Sequence, residues 1–306
     1  MARTRTVTHN IGVVLPSDVY YGSGAYFQNC LLGVCEPASL LGYNVLITTS
    51  NVHDISELQS LVESNRVDGM LLTRALEDDR ALQYLSQVNF PTALTGTCRY
   101  DNIIQVDTDN EGAAEKMTTL LIGKGFRRFA FLVKDMSYNV DRKRHEGFCR
   151  ALIKNGISEK DQLFYNGSIR MEFLDAIIEN IISKKVECII CGDDEICTMV
   201  MSRLQAEGYR IPKDVAIASL YNSTNLDCYS PAVTAVSVAA SQMGGTAVRQ
   251  LIQRLRGENY EKKTMLDYDI LSENRQTNVA GRTEQWNFRR EWIYLLYRSW
   301  KTPEYR

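Results

Sequence analysis

The 306-residue chain lacks the features that mark several large functional classes. No stretch approaches the roughly 18–20 consecutive apolar residues of a membrane-spanning helix. The first ten residues are polar and basic, and no apolar segment precedes Ile11, which argues against a secretory signal. The net charge of −2 gives no support for nucleic-acid binding by this chain alone. These absences favour a cytoplasmic globular protein that does not enter the membrane.

Motifs for catalysis and for metal or cofactor binding are also missing. The three histidines are too scattered to form a metal cluster. Gly22-Ser23-Gly24 lies well past the first predicted strand and has Phe27 in place of a third glycine, so the dinucleotide fingerprint fails. Neither a GxxxxGK[ST] phosphate loop nor a GxSxG nucleophile elbow is present. We therefore expect no metal, no cofactor and no enzymatic activity.

Eight cysteines could indicate disulfides, but most of them lie inside apolar runs. This position is typical of reduced cysteines that pack as small core residues. Cys188-x-x-Cys191 falls within a predicted strand, where an odd offset sends the two side chains to opposite faces. A packing role is therefore favoured over a redox or zinc site.

Apolar runs alternate with helical patterns along most of the chain. The runs lack period-2 alternation, which is typical of parallel strands covered on both faces. The alternation predicts a doubly wound α/β fold, and roughly ten strands favour two sheets in two Rossmann-like lobes. The predicted strands are 11–15, 45–48, 69–72, 103–106, 129–133, 188–191 and 215–219. The predicted helices are 26–41, 54–64, 77–87, 110–123, 139–155, 170–184 and 194–207.

The stretch from Val106 to Leu132 shows this unit most clearly. An extended run ends in Asp109-Asn110, two residues that are favoured as helix N-caps. The helix that follows stops at Gly123-Lys124-Gly125. A second strand, 129–133, comes directly after it. This is one strand–helix–strand unit.

In such folds ligands bind at the carboxyl ends of the strands. Several residues at these positions are aromatic or carry amide and carboxylate groups, which stack on and hydrogen-bond a polyhydroxylated small molecule. The alternative is that they are ordinary caps of strand–helix junctions. The positions are 16–21, 73–74, 95–96, 107, 136–140, 192–193 and 221–222.

Six segments, in order, resemble the ligand-sensing core of the LacI/GalR transcriptional regulators. They are ARTRTVTHNIGVVLP, YFQNCLLGV, RRFAFL followed by RHEGFCRAL, CGDDEIC, GYRIPKDVAIASLYN and SPAVTAVSV. The resemblance covers residues 1 to about 278. It implies a periplasmic-binding-protein-like type I fold, with two lobes of parallel sheets and hinge crossovers between them. It also implies that a small sugar-like ligand binds between the lobes and controls operator binding.

The resemblance divides the chain as follows. Residues 1–10 are a hinge remnant, and residues 11–106 with 238–266 form the N-terminal lobe. Residues 107–237 with 267–278 form the C-terminal lobe. Residues 279–306 form a tail beyond the family core. The family's helix-turn-helix is absent from these residues, so we expect a sensor fragment or a misplaced start, and operator DNA as a partner only through that missing part.

Arg144 occupies the position of the arginine that reaches the effector in the family's RxxGF block. A guanidinium there offers planar, multidentate donors, although a solvated arginine in a basic run is the alternative. Asp193 and Asp194 could both cap the following helix, and we expect Asp194 to cap and Asp193 to point to the ligand. The predicted ligand-binding residues are Arg144, Asp193, Tyr221, Asn222, Tyr20, Tyr21, Thr73 and Val140.

The chain departs from the family where Gly-Phe-Asp-Asp is usual. Ser219-Leu220-Tyr221-Asn222 stands there, so Tyr221 replaces a common sugar-hydroxyl acceptor. A phenol fills more volume and offers one donor and acceptor instead of two acceptor oxygens. We therefore expect a changed ligand set.

The resemblance also implies a homodimer, and the helix Tyr26–Leu41 and the region Met243–Leu255 are candidate surfaces. In the tail, Ile293, Leu296 and Trp300 share one helical face. This face would serve oligomerisation, packing on its own lobe or, as a third alternative, contact with a membrane surface. Two other functions remain open: a stand-alone sugar-binding receptor of the periplasmic type, and an enzyme on the same scaffold.

Overall fold

The computed structural model describes residues 6–17, 24–51, 53–167, 169 and 171–272. The predicted amphipathic tail, 279–306, lies outside these residues, as do the candidate ligand residues Tyr20 and Tyr21.

Twelve strands and eight α-helices alternate along the described residues. The strands are β1 (Asn10–Pro16), β2 (Asn44–Ser50), β3 (Gly69–Leu72), β4 (Thr92–Thr95), β5 (Ile104–Thr108), β6 (Phe129–Val133), β7 (Leu163–Asn166), β8 (Cys188–Cys191), β9 (Ala216–Ser219), β10 (Thr234–Val238), β11 (Lys263–Leu266) and β12 (Tyr268–Leu271). The helices are α1 (Ala25–Leu40), α2 (Ser56–Glu63), α3 (Arg80–Gln87), α4 (Asn110–Gly123), α5 (Asn139–Lys154), α6 (Met171–Ser183), α7 (Asp194–Ala206) and α8 (Ala240–Arg256).

The strands form two six-stranded sheets. The first has the order β11-β5-β4-β3-β1-β2 and is parallel throughout. The second has the order β12-β10-β9-β8-β6-β7 and is parallel except for β12, which runs antiparallel to β10. The prediction of two doubly wound lobes with parallel sheets is therefore confirmed.

The chain passes between the lobes three times. It crosses at Asp109 between β5 and α4, at Ala239 between β10 and α8, and at Asp267 between β11 and β12. All three crossovers leave or enter strands at the same side of the two sheets. The opposite edges, β2 and β7, therefore lie away from the crossovers.

The central strands of each sheet are buried on both faces, whereas the edge strands β2, β7, β11 and β12 are partly exposed. Strands β3, β5, β6, β8 and β9 are fully buried, and the unbroken apolar runs of β3, β6 and β8 predict this burial. Cys188 packs in the cluster that contains Phe129, and Cys191 packs in the cluster that contains Leu132. The two side chains thus lie on opposite faces of the second sheet, as predicted, and all eight cysteines are free thiols.

Close helix packing explains several small residues. A Cβ atom on Gly147 of α5 would lie 2.1 Å from the Glu111 carbonyl oxygen of α4. A Cβ atom on Gly33 of α1 would lie 2.0 Å from the Ser241 carbonyl oxygen of α8. The buried side of α8, which includes Met243, is consequently covered inside its own lobe. Only the polar face of 243–255 is left for another subunit.

Among the helices of the described residues, none combines the length and the apolar character that a membrane span requires.

Candidate functional site

The two lobes face each other with the carboxyl ends of their strands. Asp107 at the end of β5 in the first lobe lies 3.9 Å, carboxylate oxygen to Nζ, from Lys143 of α5 in the second lobe. Tyr26 at the start of α1 packs on Tyr221, which follows β9. The cleft is therefore lined by the positions where α/β folds bind ligands.

Arg144 is held firmly on the second lobe. Its side chain is buried, and Nη1 donates a hydrogen bond to the Gly192 carbonyl oxygen at 2.7 Å. The carbonyl belongs to the residue directly after β8, so the guanidinium is fixed at the floor of the cleft. The alternative of a solvated surface arginine is wrong. Contact with a ligand stays a prediction.

The prediction that Asp194 caps α7 is wrong, because Asp193 is the N-cap. Asp193 has extended backbone angles, φ −146° and ψ 178°, and its Oδ1 accepts from the Ile196 N–H at 2.9 Å. Its Oδ2 lies 3.0 Å from Lys134 Nζ. Asp194 is buried instead, and burial raises the pKa of its carboxyl. Whether Asp193 also touches ligand stays a prediction.

Lys134 connects the end of β6 to the start of α7. Burial alone would lower the pKa of its ammonium, but ion pairs with Asp193 and with Glu195 Oε2 at 2.5 Å more than offset this, and the pKa is raised. Lys134 therefore stays charged at neutral pH and holds the acidic start of α7 in place.

Tyr221 closes the centre of the cleft. Its ring is buried and packs edge to face on the Tyr26 ring of the first lobe. Burial raises the pKa of the phenol to about 12, so it remains neutral. The Tyr221 ring thus contacts the opposite lobe.

Asn222 presents a buried acceptor with an unsatisfied hydrogen bond. Its backbone N–H donates to the Val236 carbonyl at 2.7 Å, and its Nδ2 donates to Asp227 Oδ1 at 3.1 Å. Its side-chain oxygen is buried and has no hydrogen-bond partner among the described residues. A buried amide oxygen without a donor is costly, so it is a place where a ligand hydroxyl would be stabilised.

The positions of Thr73 and Val140 give less information about ligand binding. Thr73 is buried at the end of β3, and its hydroxyl donates to the Val14 carbonyl oxygen at 2.9 Å. It lines a pocket at the carboxyl ends of β1, β2 and β3, together with Pro16, Ser50, Asn51, Arg74 and Asp79 among others. This pocket leaves about 20 Å³ for the centre of a water molecule, which is enough for one ordered water. Val140 is half-buried in the first turn of α5.

Asp141 and Lys143 also lie at the cleft and were not among the predicted site residues. Asp141 is buried in the first turn of α5 and accepts from the Asp135 N–H at 3.2 Å. Burial raises its pKa to about 6 against the opposing effect of Arg144. Lys143 donates to Thr97 Oγ1 of the first lobe at 2.5 Å. The available signal was the run of charged residues at the start of α5, which we treated as flanking Arg144.

Asp107 is the matching acid of the first lobe. It is buried, and burial raises its pKa although the Thr108 N–H, Lys143, Arg144 and the Asn110 amide all favour its charged form. Ionisable groups of both signs thus meet in a site largely closed to water, where hydrogen bonds to ligand hydroxyls are strong. Among the described residues, no group of three or more histidines, cysteines or acids is arranged to hold a metal ion.

Comparison with known proteins gives a consistent result. The family model for the periplasmic binding protein-like domain matches residues 118–273. The chain is 24% identical over 270 residues to catabolite control protein A of Staphylococcus xylosus, with 87% of this chain and 80% of that protein covered. It is 26% identical over 289 residues to the HTH-type transcriptional repressor PurR of Erwinia tasmaniensis, with 90% and 82% covered.

A solved structure of a transcriptional regulator CelR in complex with cellobiose has the same fold. It superposes with a TM-score of 0.77 at 23% identity, and the match covers 88% of this chain and 84% of that one.

Proposed function

The chain belongs to the periplasmic binding protein-like domain family, as the effector-sensing core of a LacI/GalR-type transcriptional regulator, and we propose that its effector is a sugar or sugar derivative that binds between the lobes. The observation that carries this proposal is the unsatisfied Asn222 side-chain oxygen, buried at the carboxyl end of β9. The buried groups Arg144, Asp107 and Asp141 lie at the same cleft. Charged side chains are rarely buried unless they are paired, and buried charged groups with shifted pKa values are concentrated at functional sites.

Similar proteins support the class of ligand. The CelR structure holds cellobiose, and the curated relatives are transcription regulators, which favours a regulator over a stand-alone receptor. We assign ligand contacts to Arg144, Asp193 and Asn222. The Tyr221 phenol, which is uncharged, would form one wall of the ligand cleft. We assign further contacts to Thr73, Val140, Tyr20 and Tyr21.

Closure of the lobes would be transmitted through the start of the first lobe. The Asp68 carboxylate accepts from the Thr8 N–H at 2.9 Å, from the Thr8 hydroxyl at 2.9 Å and from the His9 N–H at 2.7 Å. These bonds fix the segment before β1 to the end of the loop that leads into β3. A rotation of this lobe therefore rotates that segment too, and with it any DNA-binding part attached there. The ligand acts through its difference in affinity for open and closed states.

We further propose a cytoplasmic homodimer without enzymatic activity. The edge strands β2 and β7 lie on the same side of the molecule, away from the crossovers, and each exposes a large apolar side chain. Ile47 of β2 is 55% exposed and Phe164 of β7 is 42% exposed. Uncovered apolar edge strands are normally paired or covered, and a second copy would cover both edges at once.

A thermal-shift screen tests the ligand proposal. Mono- and disaccharides, sugar phosphates and nucleosides are added to the purified chain. A specific ligand at about 100 times its Kd adds about 2.7 kcal/mol of stability, which raises Tm by several degrees.

The sharpest variant is Arg144→Lys, which keeps the charge but removes the planar fork. Arg150→Lys is the matched control, because Arg150 is on the same helix and pairs on the surface with Glu111 and Glu115. The proposal expects a sugar-dependent shift that Arg144→Lys abolishes and Arg150→Lys keeps. A shift that both variants keep would place the ligand elsewhere.

A further inference from the structure

Two loops from different lobes meet as a short piece of antiparallel ladder. Residues 75–77 follow β3 in the first lobe, and residues 137–139 lead into α5 in the second. Leu76 and Tyr138 form an antiparallel bridge between them. We call these six residues the latch. It lies outside the strands of both sheets.

Two backbone hydrogen bonds cross the cleft at the latch. The Glu77 N–H donates to the Ser137 carbonyl oxygen at 3.0 Å. The Asn139 N–H donates to the Ala75 carbonyl oxygen at 3.1 Å. Both bonds join one lobe to the other, so any rotation that opens the cleft at this point must break them.

Side chains of neighbouring residues reinforce the latch. The Arg74 guanidinium lies 4.9 Å from the centre of the Tyr138 ring and also hydrogen-bonds the Tyr138 hydroxyl. Arg142 Nη1 lies 2.8 Å from Glu77 Oε2. Each of these pairs again joins the two lobes.

Further hydrogen bonds join the start of α5 to Thr97 of the first lobe. Asn139 Nδ2 donates to the Thr97 carbonyl oxygen at 2.9 Å. Lys143 Nζ donates to Thr97 Oγ1 at 2.5 Å. The start of α5 therefore contacts the first lobe through both its backbone and its side chains.

Each half of the latch is also held by a hydrogen bond within its own lobe. Asp79 Oδ2 accepts from the Leu76 N–H at 3.3 Å in the first lobe. In the second lobe, Asp135 Oδ1 accepts from the Ser137 N–H at 2.8 Å. Because both halves are fixed in this way, closing the latch costs little additional backbone order.

We propose that the latch holds the two lobes together when no ligand lies between them. Contacts between the lobes then stabilise the closed state without a ligand. A ligand can enter the cleft only after the latch has opened. This second consequence rests on the proposed function, whereas the latch itself needs no ligand. The effector therefore shifts an equilibrium that already favours closure.

Asn139 allows the backbone bond to be removed by itself. It is the first residue of α5, and Tyr138 before it is extended, with φ −73° and ψ 128°. Proline is favoured at this helix position, and an extended residue before it is compatible. Asn139→Pro thus removes the N–H that crosses the cleft and keeps the helix. Asn139→Ala is the matched control, since it loses the same side-chain bonds but keeps the N–H.

The readout is hydrogen exchange of the Glu77 amide in the chain without ligand, resolved by fragment mass spectrometry. Loss of one net hydrogen bond changes an opening equilibrium by roughly 2- to 10-fold. The Glu77 amide should be protected in the wild type and should exchange by about that factor faster in Asn139→Pro than in Asn139→Ala. The Gly192 amide, which donates to the Leu132 carbonyl inside the second lobe at 2.7 Å, should not change.

The proposal is overturned if the wild-type Glu77 amide exchanges at its unprotected rate while the Gly192 amide stays protected. It is also overturned if Asn139→Pro and Asn139→Ala exchange alike at Glu77. The wild-type measurement stands even if the proline variant does not fold. Because no ligand is present, neither result bears on whether a sugar binds in the cleft.

Discussion

Tyr26 of the first lobe and Tyr221 of the second meet edge to face, with ring centroids 5.7 Å apart and ring planes at 82°. Tyr26 lies at the start of α1, and Tyr221 follows the carboxyl end of β9. The two rings are 195 positions apart in sequence and come together only when the lobes are closed. Their contact is therefore a direct reporter of closure.

A double-mutant cycle measures this contact. Tyr26→Ala, Tyr221→Ala and the double variant are unfolded in urea without ligand. Edge-to-face aromatic pairs contribute about 0.5–1.5 kcal/mol beyond their buried area, and we expect a coupling energy in that range. Additivity of the two single variants within about 0.3 kcal/mol would mean that the rings do not meet in solution.

Gly147 tests the packing of α4 on α5. Its added Cβ would meet the Glu111 carbonyl oxygen, a backbone atom that cannot turn aside. Gly147→Ala should lower the free energy of unfolding by about 1–3 kcal/mol through overpacking. Gly123→Ala is the control, because it lies at the end of α4 with no atom within 4 Å of the added Cβ. Its stability should stay unchanged or rise by up to about 1 kcal/mol, and equal losses in both variants would contradict the packing argument.

Asp141 should make stability depend on pH. Burial raises its pKa from 3.8 to about 6, so the folded state binds this proton more tightly than the unfolded chain. Stability therefore falls as the pH rises from about 4 to about 6, and the cost, on the order of 3 kcal/mol, is fully present above pH 6. Asp141→Asn should remove this cost.

Urea unfolding of wild type and Asp141→Asn at pH 5 and pH 7.5 checks the sign. The variant should gain stability relative to the wild type on going to pH 7.5, because only the wild type then carries the buried charge. Other titrating groups cancel in the difference. A difference that stays constant between the two pH values, or that changes in the opposite direction, rules out the assigned pKa.

The edge strands β2 and β7 predict how the chain dimerises. Ile47→Glu and Phe164→Glu each place a charge on an apolar edge and should shift the chain toward monomer in sedimentation velocity. Met265→Glu is the control, because Met265 is 56% exposed on β11 at the opposite edge of the first sheet. If Met265→Glu dissociates the dimer and the other two variants do not, the wrong edge has been assigned.

The sequence predicts most of the buried strands, but of the four edge strands of the described sheets it predicts only β2. Runs such as Phe129–Val133 and Cys188–Cys191 are covered on both faces, so they contain only apolar residues and stand out. Leu163–Asn166 and Lys263–Leu266 are short edge strands of alternating exposure, and neither was predicted. Four residues carry too little pattern to separate a strand from a loop. Thr92–Thr95 was missed among the buried runs because half of it is threonine.

The candidate site was predictable where a local motif exists. Gly147-Phe148 sets the register of Arg144, whose buried place follows from α5 packing on α4. No local motif predicts Lys143 or Asp141. The first-lobe partners of Lys143 are Thr97, 46 residues away in sequence, and Asp107, and the pKa of Asp141 is raised by its burial in the fold. Sequence spacing does not show which side of α5 faces the other lobe. The cap at Asp193 was assigned wrongly for a similar reason, since both acids suit an N-cap and only the backbone angles distinguish them.

The most direct test of the central claim is a calorimetric titration of sugars, sugar phosphates and nucleosides into wild type, Asn222→Ala and Asn102→Ala. Asn102 is the control, because it lies at the amino end of β5, away from the cleft, and donates to the Ser86 carbonyl. We expect one sugar class to bind the wild type and Asn102→Ala alike, and to bind Asn222→Ala about 10-fold or more weakly, since the bound ligand hydroxyl loses its buried acceptor. Absence of binding to the folded wild type across all classes, or equal binding to Asn222→Ala, would contradict a sugar effector in this cleft.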